Sequence, residues 1–433
     1  MCVESVPPPS SRLTRRGVLA GAAALAGTAA ALSVAPSAVA AQPRTPGSTA
    51  AHSGDLAVEG GTLLDPETGH VTEDAVVVIR SGTVRAAGPR DRVEIPDGVP
   101  VLDAHGSWVL PGLVDAHIHL NTAAEALDAV RQGATSARSG STNFYQDIAV
   151  RELARQAPAL APRLRTAGIF VTPDLGDTIL ADPDLTPLAR SKDGVRSAEA
   201  LRRVVEVNIA RGADAIKTRV NERAGLPEQD PLAQVYSYEQ LSEVVAAARR
   251  GGKGVLCHSY SERGCGDAVR AGVRSLEHGV FVGERTLHDM RRRGTAFTPT
   301  LSAIAGLVDS SNPVLAERGR AYLPVLKEAV RTAHQMGILV VAGTDSSGGK
   351  VKPIGREVEL MHAAGLTTLD AIRTATTRAA RLLGLEETVG RLDRGFAGDV
   401  IVVDGDPLAD VSVLKRPQHV VRAGLVVQGA SAS

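Results

Sequence analysis

The chain has 433 residues, of which 43% are hydrophobic and 22% are charged, and its 48 basic residues balance 48 acidic ones. A chain of this length can bury a large core, and one large domain with a smaller one is expected. The balanced charge offers no basic surface for a polyanion, so we expect no nucleic-acid partner. Three cysteines are too few for a disulfide framework.

Residues 1–40 have the pattern of a twin-arginine-type signal peptide. Arg12, Arg15 and Arg16 precede an uncharged, weakly apolar stretch, and residues 38–40 supply an A-x-A cleavage site. A transmembrane anchor is the alternative, but the stretch is rich in Ala and Gly and only feebly apolar. We therefore expect a secreted or extracytoplasmic protein with no stable membrane association after signal cleavage.

Short β segments at both ends of the remaining chain predict a small domain. Residues 55–107 alternate apolar runs with Gly/Pro turns, and residues 390–428 repeat this texture. We expect these two ranges to form a composite β-sandwich, preceded by a Pro/Gly/Ser-rich linker over residues 41–54.

Residues 108–389 alternate apolar strand patterns with helical ones. The candidate strands are 109–119, 134–138, 163–170, 215–219, 254–258, 275–278, 296–300 and 338–345. Tyr238–Arg250 and Thr367–Leu383 have the spacing of amphipathic helices. Eight such units over roughly 270 residues predict an α/β fold of the (β/α)8 TIM-barrel type. A doubly wound open sheet is the alternative, but we find no glycine-rich phosphate loop for it.

His117 and His119 end the first candidate strand. Side chains alternate along a strand, so these two imidazoles project the same way, about 7 Å apart. Such a pair is a natural half of a zinc-type site, although an H-x-H pair can also simply face solvent or a polar groove.

Four further ligand-type residues end other candidate strands: Lys217, His258, His278 and Asp345. Each has a structural alternative, since a lysine can snorkel, a histidine can be hydrogen-bonded in the core and an aspartate can cap a helix. In a barrel, however, the C-terminal strand ends meet at one face. Their coincidence with the H-x-H pair predicts a metal centre there.

The chain resembles the amidohydrolase superfamily, in its imidazolonepropionase/prolidase-like (Xaa-Pro dipeptidase-like) branch. The motifs that carry the resemblance are Pro111–His119, Gly212–Lys217, His258–Tyr260, Ser275–Gly279, Pro299–Leu301 and Gly343–Asp345. Their order and spacing agree over nearly all of residues 55–428.

The resemblance implies a binuclear centre of two divalent metal ions, usually zinc, although the ligand set would also accept manganese, cobalt or iron. His117, His119 and Asp345 would hold one ion, and His258 and His278 the other. Lys217, carboxylated by carbon dioxide to a carbamate, would bridge them, because an anionic two-oxygen ligand suits two cations.

The resemblance also implies a reaction on a small-molecule substrate. The ions would turn a bridging water into hydroxide, and Asp345 would act as general base and then protonate the leaving amine. Tyr260 would point at the carbonyl oxygen, unless it is a packed aromatic at the rim. The expected enzyme hydrolyses a C–N amide bond in a dipeptide, an N-acyl amino acid or a cyclic amide.

Other functions stay open. The same centre could hydrolyse a lactone, a carbamate or a phosphotriester. A mononuclear deaminase fits less well, because Lys217 indicates two ions. A non-catalytic scaffold is the remaining alternative, but all six ligands are retained. The resemblance is compatible with a homo-oligomer.

Two segments depart from the family pattern where substrate walls are built. Asn121-Thr122 leads directly into a helix, and Arg219–Gly225 replaces the paired glycines that are common after the bridging lysine. The other expected walls are Thr172–Gly194 and Ser346–Gly355. The cations that could bind a substrate carboxylate are Arg219, Arg223, Lys350 and Lys352. Cys257 lies in an apolar strand, so we expect a buried thiol there rather than a bridge to Cys265.

Overall fold

The computed structural model describes residues 54–429, so the predicted signal peptide and all but the last residue of the predicted linker lie outside it. The strands in the described residues are β1 (Leu56–Leu64), β2 (Val71–Arg80), β3 (Thr83–Pro89), β4 (Val101–Asp103), β5 (Trp108–Pro111), β6 (Leu113–Ile118), β7 (Ala134–Ser139), β8 (Arg163–Arg165), β9 (Ala215–Arg219), β10 (Gly254–Ser259), β11 (Ser275–His278), β12 (Ala296–Thr298), β13 (Val400–Val403), β14 (His419–Arg422) and β15 (Leu425–Gln428).

The α-helices of the same residues are α1 (Ala123–Arg131), α2 (Gln146–Gln156), α3 (Ala198–Ala210), α4 (Tyr238–Arg250), α5 (Glu262–Ala271), α6 (Glu284–Arg293), α7 (Leu301–Val308), α8 (Pro313–Gln335), α9 (Ile354–Ala363), α10 (Thr368–Thr374) and α11 (Thr377–Leu383). Within residues 54–429 no helix combines the length and the apolar character needed to cross a bilayer.

Strands from both ends of the chain share one eight-stranded sheet. Its order is β15-β14-β13-β5-β1-β2-β3, with β4 paired to β1. In β2, Val77 and Ile79 pack into one hydrophobic cluster, whereas Val76 and Val78 pack into another. This alternation buries both faces of the strand. The two predicted ranges thus meet in a single sheet, and the sandwich arrangement stays a prediction.

The predicted strand 109–119 is two strands. β5 pairs with β1 and β13 in the terminal sheet, whereas β6 pairs with β7. Gly112 separates them, and its N–H donates to the carbonyl of Asp399 at 2.8 Å. A Cβ at Gly112 would lie 2.2 Å from Thr135 Oγ1, so only glycine fits this crossing between sheets.

The middle of the chain forms two parallel sheets, β6-β7-β8 and β9-β10-β11-β12. Single parallel bridges link Val171 to Thr218 and Phe297 to Val340, and the N–H of Ala116 donates to Ala342 at 2.9 Å. Over residues 54–429 these contacts do not make one continuous closed sheet. The TIM barrel is therefore not confirmed as a closed barrel.

The two sheets are not continuous because two of the predicted strands are short or irregular. The prediction over 163–170 is regular only as β8, and the prediction over 338–345 is reduced to the bridge at Val340. At the end of that segment Asp345 takes a left-handed backbone conformation with φ 49°, which a strand cannot contain.

The predicted helix Tyr238–Arg250 is confirmed as α4, and Ser237 and Gln240 form a reciprocal capping box at its start. The predicted helix Thr367–Leu383 is wrong as a single element. It is α10 followed by α11, because Thr376 has φ −132° and ψ −102°, outside the helical region.

Two buried thiols and one buried ion group lie in the interior of the fold. Cys257 and Cys265 are both buried free thiols. The carboxylate of Asp399 is buried between Arg163 and Arg422, with N–O distances of 2.9 and 3.0 Å. This ion group fastens β8 to the terminal sheet.

Candidate metal centre

The structure brings all six predicted ligands together in the interior. The most exposed of them, His119, shows 7% of its surface. The side chains come from β6, β9, β10 and β11 and from the irregular segments after β6 and after Val340: His117, His119, Lys217, His258, His278 and Asp345.

His117, His119 and Asp345 form the tightest group, with ligand atoms within 4.8 Å of one another. The Nδ1 of His119 lies 2.7 Å from the carbonyl oxygen of Ser141, which can only accept, so we assign the proton to Nδ1. The Nε2 lone pair then faces Asp345 Oδ1 at 3.1 Å. Two electron-rich atoms at this distance need a cation or a proton between them.

His117 repeats the arrangement. Its Nδ1 lies 2.5 Å from Glu277 Oε2, which leaves Nε2 as the ligand atom. That Nε2 lies 3.5 Å from Asp345 Oδ1 and 3.1 Å from Lys217 Nζ. His117 is therefore the central side chain of the cluster, in contact with the predicted bridge and with the predicted base.

His258 and His278 complete the cluster. The His258 ring centroid is 4.4 Å from that of His278, which is 5.3 Å from that of His117. His258 Nε2 donates to the carbonyl of Glu222 at 3.0 Å, and His278 Nδ1 lies 2.6 Å from Thr300 Oγ1. The remaining nitrogens, His258 Nδ1 and His278 Nε2, are buried without a hydrogen-bond partner in the described residues.

Several residues in or beside the cluster have a left-handed backbone conformation. The φ angles of His278, Thr300 and Asp345 are 66°, 51° and 49°, and that of Ser141 is 99°. Non-glycine residues rarely adopt such angles, and the cost is of order 1–3 kcal/mol each. In His278 the turn redirects a side chain that strand alternation would otherwise aim outward.

Gly140 keeps the space beside the two leading imidazoles clear. A Cβ at this position would lie 2.6 Å from His119 Nε2 and 2.7 Å from His117 Nε2. Any side chain would occupy the space that these two ligand atoms face.

Burial favours the neutral form of three of the imidazoles. Burial, aided by the charge of Lys217, lowers the pKa of His117 to about 4. Burial also holds the pKa values of His258 and His278 well below the ordinary range. Neutral imidazoles are the form that binds metal ions.

Sequence reasoning missed the ion pair beneath the site. Arg138 Nη2 donates to both carboxylate oxygens of Glu277 at 3.0 Å, and its Nε donates to the carbonyl of Ala116 at 2.7 Å. Burial alone would raise the pKa of Glu277, but Arg138 and the hydrogen bond from His117 hold it below its usual value. The alternation of Ser275, Leu276 and Glu277 could have indicated an inward carboxylate.

Tyr260 lies against the cluster. Its ring stacks on His278 with 5.3 Å between centroids and 5° between planes. Behind it stand Tyr322 and Phe281, whose ring centroids are 5.0 Å apart. The predicted alternative of a packed aromatic and the predicted contact with substrate are both compatible with this position.

The candidate carboxylate-binding cations have different surroundings. Arg223 lines a small cavity with His258, Tyr260 and Asp345. Arg219 pairs with Glu222 at 2.6 Å, and Lys352 Nζ donates to the carbonyl of Ser302 at 3.3 Å. Lys350 is exposed.

Comparison with known proteins identifies the family. The model of the amidohydrolase family matches residues 108–427, which is most of the chain. The chain belongs to the amidohydrolase family. Ochratoxinase from Aspergillus niger is 27% identical over 426 residues, with 85% of each chain covered. Imidazolonepropionase from Symbiobacterium thermophilum is 26% identical over 394 residues, covering 80% of this chain and 90% of the relative.

Solved structures agree on the fold of this amidohydrolase. A Xaa-Pro dipeptidase with bound methionine in its active site has a TM-score of 0.77 at 23% identity, covering 87% of this chain and all of that one. The resemblance stated from the motifs is therefore confirmed, and the chain is a hydrolase.

Proposed function

We propose that this amidohydrolase hydrolyses a C–N amide bond with two divalent metal ions, most naturally zinc. One observation carries the proposal. In His117, His119 and His258 one ring nitrogen lies within hydrogen-bonding distance of a protein oxygen acceptor, and the other nitrogen is left as a lone pair inside the cluster. This is the arrangement in which a protein holds imidazoles toward a metal ion.

The residues fit two ions. His117, His119 and Asp345 would hold one, and the unpartnered nitrogens of His258 and His278 suit the other. Lys217, buried and 3.1 Å from His117 Nε2, would carry the bridge. For this the neutral amine attacks carbon dioxide, a N–C bond forms and a proton leaves, which gives an anionic carbamate.

The ions, when bound, would lower the pKa of a water and polarise the scissile carbonyl. The chain's own groups would manage the protons and the substrate. Asp345 would accept the proton of the attacking water and pass it to the leaving amine nitrogen. Tyr260, beside His278, would donate a hydrogen bond to the carbonyl oxygen as charge develops on it.

The architecture that we infer for this site is a (β/α)8 barrel. The two parallel sheets would be its arcs, and the segment around Val340 its eighth strand. The single bridges at Val171 and Phe297 support this arrangement, as do the hydrogen bonds of residues 342–346 to residues 116–119.

We propose a substrate with a free carboxylate on the amine side of the scissile bond, such as a dipeptide or an N-acyl amino acid. Arg223 lines the cavity that contains Asp345, and Ile304 and Leu307 supply its apolar wall. A guanidinium beside apolar side chains suits the carboxylate and side chain of an amino acid. We also propose twin-arginine export, since residues 12–40 carry the pattern of that signal.

The test is a mass-spectrometric hydrolysis screen of the zinc-loaded protein against dipeptides, N-acyl amino acids and lactams. We expect cleavage of at least one carboxylate-bearing amide. Asp345→Asn should abolish it, whereas Asp399→Asn, which alters a buried carboxylate away from the site, should not. Silence from a protein that carries two metal ions would move the proposal to esters, carbamates or phosphotriesters.

Metal content tests the bridge separately. Lys217→Ala should lose bound zinc, measured by inductively coupled plasma mass spectrometry, whereas Lys350→Ala, at an exposed lysine, should keep two ions per chain. A Lys217→Ala variant with two ions and full activity would rule out the carbamate.

A further inference from the structure

The strand that provides His278 also provides an unusual partner for His117. The other oxygens that contact imidazoles in this cluster are neutral: the carbonyl of Ser141 for His119, the carbonyl of Glu222 for His258 and the hydroxyl of Thr300 for His278. His117 Nδ1 instead meets a carboxylate oxygen of Glu277, at 2.5 Å. Both side chains are 0% exposed.

The geometry gives Glu277 a single orientation. Its two oxygens accept from Arg138 Nη2 at 3.0 Å each, and the hydroxyl of Ser275 donates to Oε1. Arg138 is itself fixed, because its Nε donates to the carbonyl of Ala116 and its Nη1 to the hydroxyl of Ser275 at 2.9 Å. The guanidinium therefore joins β6, β7 and β11 and leaves the carboxylate no freedom to rotate.

The fixed carboxylate acts on the central ligand of the cluster. With Nδ1–H donated to Glu277, His117 Nε2 faces both Lys217 Nζ and Asp345 Oδ1. A rotation of the His117 ring would disturb both of these contacts at once. A carboxylate also makes an imidazole a stronger donor to a metal than a carbonyl does.

We propose that Glu277, clamped by Arg138, is a positioning residue for the metal centre. It holds His117 as the Nδ1–H tautomer and fixes the direction of its Nε2 lone pair. The inference rests on the proposed metal-dependent function. It predicts that the Arg138–Glu277 pair serves metal binding and not only the packing of the interior.

The experiment measures zinc affinity by competition with a chromophoric chelator, together with unfolding by urea. Glu277→Gln keeps the size of the side chain but weakens the acceptor, so we expect zinc to bind about 10–100-fold more weakly. The double variant Arg138→Met/Glu277→Gln removes both charges and should unfold at a higher urea concentration than Arg138→Met alone. Its zinc affinity should nevertheless stay as weak as that of Glu277→Gln.

Asp399→Asn is the matched control, because Asp399 is also a buried carboxylate that pairs with arginine but contacts no predicted ligand. It should lose stability and keep the parent zinc affinity. Zinc affinity within about twofold of the parent in Glu277→Gln, or an equal loss in Asp399→Asn, would overturn the role of Glu277. A parent protein that binds no zinc would instead overturn the proposed function itself.

Discussion

Two buried carboxylates of this protein, Glu277 and Asp399, pair with arginine and yet serve different ends. Asp399 joins Arg163 and Arg422 and so fastens β8 to the terminal sheet. Glu277 joins Arg138 to an imidazole at the centre of the ligand cluster. The Asp399 group thus holds two parts of the chain together. The Glu277 group, as we propose, fixes the direction of a metal-binding imidazole.

The largest expected effect is on kcat, and it distinguishes the catalytic carboxylate that we propose from a structural one. Asp345→Asn should lower kcat by about 10²–10⁴-fold, because the proposed base is lost. Asp399→Asn should leave kcat per folded molecule unchanged and lower the free energy of unfolding by about 3–5 kcal/mol, because the buried guanidinium of Arg422 and the partly exposed one of Arg163 lose their counter-charge. Steady-state kinetics and urea unfolding of both variants measure the two effects, and equal loss of kcat in both would erase the distinction.

Arg138→Met tests the ion group at the site. It leaves the buried carboxylate of Glu277 without its guanidinium, so we expect a loss of about 3–5 kcal/mol in the free energy of unfolding. Unlike Asp399→Asn, it should also lower zinc affinity. Calorimetric zinc titrations at equal folded fraction compare the variants, and parent-like titration of Arg138→Met would contradict the expectation.

Glu357 is a third buried carboxyl group, and it differs from Glu277 and Asp399 because its partners are neutral. It accepts the N–H groups of Leu301 and Ser302 at 2.7 and 2.6 Å. Burial raises its pKa to about 7, whereas Arg422 and Arg163 outweigh burial and lower the pKa of Asp399. The folded state therefore binds the Glu357 proton more tightly than the unfolded chain does.

Stability from Glu357 should be complete at low pH and should be lost as the pH rises through about 7. Between about pH 5 and pH 8 the free energy of unfolding should fall by about 1–3 kcal/mol relative to Glu357→Gln. Urea unfolding at several pH values provides the measurement. Parallel curves for the parent and the variant would show that Glu357 does not titrate in this window.

The smallest effect concerns substrate binding. Arg223→Ala should raise KM for a carboxylate-bearing substrate by about tenfold, as expected for a lost hydrogen bond to a charged group. Arg155→Ala, at an exposed arginine that is not a candidate for the carboxylate site, should change KM by less than about twofold. Initial-rate kinetics with an N-acyl amino acid and its amide derivative compare them, and equal KM values for the two substrates would remove Arg223 from the carboxylate site.

The sequence predicted the candidate ligand residues because they lie in or just after apolar strands, and parallel strands bring their carboxyl ends to one edge. It also predicted α4, since its capping box and apolar face act locally. It did not predict the irregular segment before Asp345 or the division at Thr376, because both depend on backbone angles that tertiary contacts impose. Propensity and periodicity carry no information about such angles.

Arg138 was missed for a different reason. An arginine at the end of a candidate strand is usually a solvated side chain, and the side-chain partners of Arg138 on β11 are 137 and 139 residues away in sequence. Glu277 belongs to the motif Ser275–Gly279, which carried the family resemblance. In that motif the neighbouring His278 was interpreted as the functional residue, and Glu277 was not. Only the folded arrangement shows that the two side chains meet.

The pairing of β5 with β13 affects the order in which the protein can be completed on the ribosome. β13 is synthesised after the helices α1 to α11, yet it lies in the middle of the terminal sheet, between β5 and β14. Until the ribosome has passed Val403, β5 has an open edge with unpaired backbone groups, which favours pairing with other chains. A nascent chain that stops before Val400 would therefore expose this edge, and only a chain that includes β13 can close the sheet that adjoins β6.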